Sequence, residues 1–276
     1  HSMKKNSYQQ GSTLIVVLIL LVLISIGGVY AIRHSIFNLK MATSAQVQTL
    51  LMQTSDVALA RLEKNFNDNE ASNLGGTPVG QVLLDGNQGL ELQFCFKPTE
   101  VGSDNALKNN LFFDLREFRI IERNSATTTD AKSTAESGNY DAVCNPATMF
   151  SISRKALVTQ VAVVNPDDPA VEMGRFDLAA KGNDLKDAAN IETKRVRVTV
   201  TSFTPALASA SVDDMNTCLK QRMMDDSLLR NRADSSASPA QVKVETLHEC
   251  LNKLGVPINT QTAEYVVRLS DSKSNS

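Results

Sequence analysis

Cys95, Cys144, Cys218 and Cys250 are the four cysteines of this 276-residue chain, and the residues best equipped to form covalent links. None stands in a Cys-x-x-Cys pair, and His34 and His248 do not cluster with them. A zinc site brings its ligands together at short spacings, so none is expected here. An even number of dispersed cysteines suits two disulfides in an oxidising compartment. Pairing Cys95 with Cys144 and Cys218 with Cys250 is favoured because sequence neighbours then close moderate loops; buried free thiols are the plainer reading. The oxygens of Asp167, Asp168, Asp177, Asn183 and Asp184 could hold calcium, a weak signal. They lack the spacing of an EF-hand loop, so solvated acids are the stronger reading, and no cofactor or metal is expected. Arg195 and Arg197 read as the exposed face of a strand rather than an anion site. No Gly-x-Ser-x-Gly, Walker loop, Gly-x-Gly-x-x-Gly or His-Glu-x-x-His occurs, so an enzyme is not expected.

These residues must be carried by a core and an anchor. With 42% hydrophobic residues the chain can bury a core, and a net charge of -2 leaves no basic field for nucleic acid. His1 and Ser2 precede Met3 and read as a cloning remnant. Residues Gly11 to Ile32 contain no charge. As a helix they span roughly 30 Å, the thickness of a hydrocarbon core. From Arg33 to Phe66 the pattern turns amphipathic, with Ile36, Leu39, Val47, Leu50, Leu51, Val57, Leu59, Leu62 and Phe66 as its apolar members. One helix is expected from Thr13 to Phe66, about 80 Å long. The period then moves towards two residues. Strands are expected at Gln81–Leu84, Leu90–Lys97, Phe112–Glu122, Phe150–Ser153, Ala156–Val164 and Lys194–Phe203, with an exposed loop at Asn124–Asn139. Two helices should follow, one through Met215, Leu219 and Met223. The other should be capped by Ser238 and closed by Gly255. A Cys218–Cys250 bond would staple them as a hairpin.

The organisation expected is therefore α+β. Residues 1–2 are the remnant, 3–11 a leader, 12–32 the membrane half of the helix and 33–66 its amphipathic half. Residues 67–268 form a globular domain and 269–276 a disordered tail.

The run Gln-Gly-Ser-Thr-Leu-Ile-Val-Val-Leu-Ile-Leu-Leu-Val-Leu-Ile, behind the short leader Met3-Lys4-Lys5-Asn6-Ser7-Tyr8-Gln9, resembles the class III signal of type IV prepilins. The resemblance covers the first sixty or so residues. It implies a pilin-like fold, with the long helix packed on a mostly antiparallel sheet. It further implies that a prepilin peptidase cuts after Gly11 and that Ser12 becomes a methylated N-terminus. Most major pilins carry glutamate at the fifth mature position. Here that position is Val16, and no acid occurs between Met3 and Gln53. This lack is similar to that of PilX-type minor pilins and of the GspK-type minor pseudopilins of type II secretion. The implied partners are other minor pilins, the major pilin, the inner-membrane assembly machinery and a large tip adhesin. The implied location is the bacterial inner membrane, single-pass with a periplasmic C-terminal domain, then the pilus on the cell surface. An ordinary anchor, a cleaved secretory signal, and a membrane-anchored periplasmic hydrolase or binding protein are the competing expectations.

Overall fold

The computed structural model describes residues 10–68, 78–84, 86–97, 117–137, 143–150, 156–167 and 191–270. The chain divides into two compact units, one ending at Thr49 and the other beginning at Leu50. Helix α1 (Gln10–Asp68) runs through this boundary without interruption. Its continuity follows from composition: proline is absent from the whole helix, and Gly27-Gly28 is the last glycine before residue 75. In the first unit, Thr13–Arg33 has a mean hydropathy of 3.0 and none of its residues is buried. The Ser25 hydroxyl donates to the Leu21 carbonyl at 2.7 Å, so this polar side chain is satisfied inside the helix.

The second unit is mixed α and β. Its sheet is antiparallel throughout, with β1 (Glu91–Cys95), β2 (Phe118–Arg123), β3 (Ala131–Ser137), β4 (Val158–Val164), β5 (Ile191–Phe203) and β6 (Ile258–Ser270). The spatial order is β3-β2-β1-β4-β5-β6. Because alternate residues of a strand point to opposite faces, the sheet has two chemically distinct sides. One side presents Leu92, Phe94, Val161, Val163, Val196, Val198 and Val200, and packs with Ala58 and Leu62 of α1 and with the short helix α2 (Pro78–Val82). Leu51, Thr54, Ser55, Ala58 and Leu62 are the buried residues of this part of α1. Their spacing of three, four and seven makes one helical stripe. The stripe contains a hydroxyl relay: Ser55 Oγ donates to Ser202 Oγ at 3.0 Å, and Ser202 Oγ lies 3.0 Å from Thr159 Oγ1.

The opposite side is covered by α3 (Val212–Gln221), α4 (Leu247–Lys253) and the segment between them. α3 is capped by Ser211, whose hydroxyl accepts from the Asp214 amide. α4 carries a capping box between Thr246 and Glu249. Gly255, with φ of +70°, ends α4 in the conformation glycine adopts most easily.

Several sequence expectations are corrected. Gln81–Leu84 is not a strand: the chain forms α2 and then a turn through Gly86 and Gly89. The expected loop at Asn124–Asn139 contains β3, a Ser- and Thr-rich strand that its polarity disguised. β6 was not expected, and it extends to Ser270, into the segment read as a tail. The second C-terminal helix starts after Thr246 rather than after Ser238, because the capping box there supplies the stronger start signal. Leu50 and Val57, read as apolar members of the amphipathic half, are exposed, whereas Thr54, Ser55 and Ala58 are buried. Residues 98–116, 151–155 and 271–276 lie outside the described residues, and with them part of the strands expected at Phe112–Glu122 and Phe150–Ser153.

Candidate functional site

Two regions carry functional chemistry. The first is the N-terminal segment. Gly11 and Ser12 fall in the opening turn of α1. Beyond them every large apolar side chain from Leu14 to Ile32 is at least half exposed, Val16 among them. A soluble protein rarely leaves so continuous an apolar surface bare. The segment meets the length and composition required to cross a bilayer.

The second region is the polar seam beneath α3 and α4. Glu91 and Gln93 of β1, Arg119 and Arg123 of β2 and Arg197 of β5 all point to this side, and all are buried. The Arg119 guanidinium donates to Gln93 Oε1 at 2.7 and 3.0 Å and to the carbonyls of Leu219 and Lys220 at 2.6 and 2.8 Å. It thereby satisfies the last carbonyls of α3 and places a cation at the negative end of that helix. Arg123 donates to the carbonyls of Ser125, Ala126, Thr128, Arg230 and Val242, tying the β2–β3 turn to the segment before α4. Arg197 reaches Asp225 at 3.3 Å and Glu264 at 2.8 Å, and Glu264 also accepts from Arg195 at 2.8 Å. Arg197 is thus not the exposed strand residue expected from the alternation of β5. The face it occupies is roofed by Asp225 and Ser227.

Glu91 sits at the centre of this seam. It accepts from the backbone amides of Met224 and Asp225 at 2.8 and 2.9 Å and from Gln93 Nε2 at 2.6 Å. Burial pushes its carboxyl up to about 7, against the pull of those donors. An acid with a raised folded-state pKa is more protonated in the folded chain than in the unfolded one. Its stabilising contribution is therefore complete below 4.5 and is lost as pH rises through about 7. The shift is worth on the order of 3 kcal/mol. Urea unfolding midpoints are expected to fall between pH 5 and pH 8, and Glu91→Gln should flatten that slope. Glu264, held below the usual carboxylate range chiefly by Arg195, titrates in a lower window. A slope unchanged by Glu91→Gln would remove this residue as its source.

Beside the seam lies an open cleft of about 470 Å³. Thr199, Thr260 and Thr262 form its sheet wall, and His248 and Glu249 of α4 stand opposite. His248 Nδ1 lies 2.9 Å from Thr260 Oγ1. Sequence reading left His248 isolated; only the fold brings it to the threonines and to Asp225 and Asp226.

Of the residues singled out in the sequence, the cysteines are brought together in pairs. Cys95 and Cys144 are bonded with Cα atoms 4.9 Å apart, and Cys218 and Cys250 with Cα atoms 5.7 Å apart. Among the loop acids, Asp167 has both carboxylate oxygens 2.9 Å from the Leu229 amide. Asp168, Asp177, Asn183 and Asp184 lie outside the described residues. Among the described residues no group of three or more His, Cys, Asp or Glu is placed to hold a metal ion. The seam was missed because its polar residues alternate as an exposed strand face would. One signal was present: Cys95 shares a face with Glu91 and Gln93, and a cysteine destined for a disulfide marks a covered face.

Comparisons with family models, curated proteins and solved structures found no match to this chain.

Proposed function

We propose that this chain is a PilX-type minor pilin that helps initiate type IV pilus assembly and sits at or near the filament tip. The observation that carries the reading is the apolar run after Gly11. It is charge-free, has no buried residue, and is continuous with a helix whose later turns pack on a sheet. In this reading Lys4 and Lys5 stay cytoplasmic and the prepilin peptidase cuts between Gly11 and Ser12. The apolar half-helix then exchanges lipid for the helices of neighbouring subunits. An unpaired charge inside a bilayer is costly. Without an acid at Val16, this subunit cannot neutralise a neighbour's N-terminal amine, which fits a place outside the repeating filament. The second unit, with its disulfides and antiparallel sheet, is the part offered in the periplasm to other minor pilins, the major pilin and a tip adhesin. A GspK-type minor pseudopilin is supported by the same residues. Loss of secretion with intact pili in a deletion strain would select it.

Mass spectrometry of the mature chain is the direct test. The expected N-terminus is Ser12, methylated. Gly11→Leu should leave the leader attached from Met3 and abolish the contribution to piliation. An N-terminus at Ile32 would mean a cleaved secretory signal, and normal piliation by unprocessed protein would defeat the mechanism.

A further inference from the structure

We infer that the outer edge of β6 is a docking site for an extended strand of another protein, whose alternate side chains enter the cleft beside α4. β6 pairs with β5 along its full length, from Ile191↔Ser270 to Phe203↔Ile258, with no shift of register. It is the last strand of the sheet, and among the described residues no strand lies on its other side. At the rise of a strand, its outer backbone offers hydrogen-bonding groups over about 40 Å. Natural sheets blunt such edges with short strands, bulges, proline or charged side chains, lysine above all. The opposite edge is treated in this way. β3 is seven residues long, its pairing with β2 slips between Ile120 and Ile121, and Lys132 stands on it. β6 has thirteen residues and contains no proline, lysine or bulge; of its two charged residues, Glu264 is paired with Arg195 and Arg197 of β5, and Arg268 stands near its end. Val266 on it is 56% exposed.

The cleft supplies the second half of the site. Thr260 and Thr262 of β6 line it, so a strand added to β6 runs along its rim. Alternate side chains of that strand would then face His248 and the threonine hydroxyls, the arrangement of a strand seated between a sheet edge and a helix. The charges select what enters. Asp225, Asp226 and Glu249 line the cleft with Arg197, and Lys243 bridges Asp226 and Glu249 at 3.2 and 3.0 Å. Three carboxylates against two cations favour lysine, threonine or amide side chains and reject acids. The occupant is thus an extended, proline-free segment alternating β-branched residues with hydrogen-bond donors. This inference stands on the sheet edge and the cleft and does not depend on the N-terminal segment.

Hydrogen exchange of the full chain in detergent micelles tests it, with the peptide Val-Thr-Val-Lys-Val-Thr-Val-Lys-Val as the probe. The peptide should slow exchange of the β6 amides that point away from β5 about tenfold or more, as main-chain pairing requires. A version with proline at its centre should give no protection, and one with glutamate for lysine should bind about tenfold more weakly. Val266→Lys, at an exposed position, should weaken binding about tenfold without moving the melting temperature. Protection elsewhere but not in β6, or equal binding of the proline version, would overturn the proposal. So would protection, in the free chain, of those β6 amides that point away from β5. Dependence of that protection on protein concentration would assign the edge to a second copy, and independence to another part of the same chain.

Discussion

Reduction of the two disulfides is expected to lower the melting temperature of the second unit by roughly 15–30 °C, on the scale of about 2–4 °C per kcal/mol for a unit of this size. The magnitude follows from the loops they close. The bonded cysteines are 49 residues apart in one case and 32 in the other. Restricting loops of that length in the unfolded chain is worth about 4 kcal/mol each in the chain-entropy account. Both together amount to a large fraction of the roughly 5–15 kcal/mol that holds a typical domain. The bonds also act at different places. Cys218–Cys250 joins α3 to α4, the two helices covering the polar side of the sheet. Cys95–Cys144 ties the end of β1 to the segment around residues 143–150. The paired variants Cys218→Ser with Cys250→Ser, and Cys95→Ser with Cys144→Ser, should each give about half the shift, since the sites are distinct. If the melt moves by less than about 3 °C although alkylation shows every cysteine reduced, packing rather than cross-linking holds the cap, and the entropy argument fails.

What was legible in the sequence was mainly local. The uncharged run and its helical continuation could be read because one signal, an unbroken apolar and then amphipathic helix, holds from Gly11 to Phe66. α3 and the strands β1, β2, β4 and β5 were visible through their own periodicity. The illegible parts depended on partners distant in sequence. β6, Asn-Thr-Gln-Thr-Ala-Glu from 259 to 264, is polar because its side chains hydrogen-bond to β5, as Thr262 does to Thr199 and Thr260 to Thr201. A ladder of threonines carries no apolar alternation for a sequence reading to detect. β3 was hidden in the same way, by a run of Ser, Thr and Ala that could as well be a loop. Arg197 was misread for a related reason. Alternation says which residues share a face but not whether that face meets water. Whether Arg197 is solvated or roofed is decided by the segment at Asp225–Ser227, which its own strand does not reveal.

The same burial makes Arg197 the residue whose loss should be felt most among single replacements. Arg197→Met is expected to cost about 3–5 kcal/mol, because removing one partner strands the other charge in a dry environment. Its side chain is only 7% exposed and that of Asp225 2%. Asp225 would keep the Ser227 amide and hydroxyl, at 2.8 and 2.6 Å, but no cation. Glu264 would lose less, since it is partly exposed and retains Arg195. The carboxylate of Asp225 is therefore where the cost falls, and that gives a decisive cross-check. Asp225→Asn added to Arg197→Met should recover a large part of the lost stability, since a neutral amide tolerates the missing cation. Glu264→Gln added instead should not. Equilibrium unfolding of the four chains in urea measures both. Additive losses in the Asp225 pair would mean that Arg197 acts through its packing alone. Recovery would mean that the seam is held by charge balance and that the loop over it is fastened chiefly at Asp225. That segment, Met224–Ser227, is one wall of the cleft, so the same loss should blunt peptide protection at β6 while Val266→Lys leaves stability untouched.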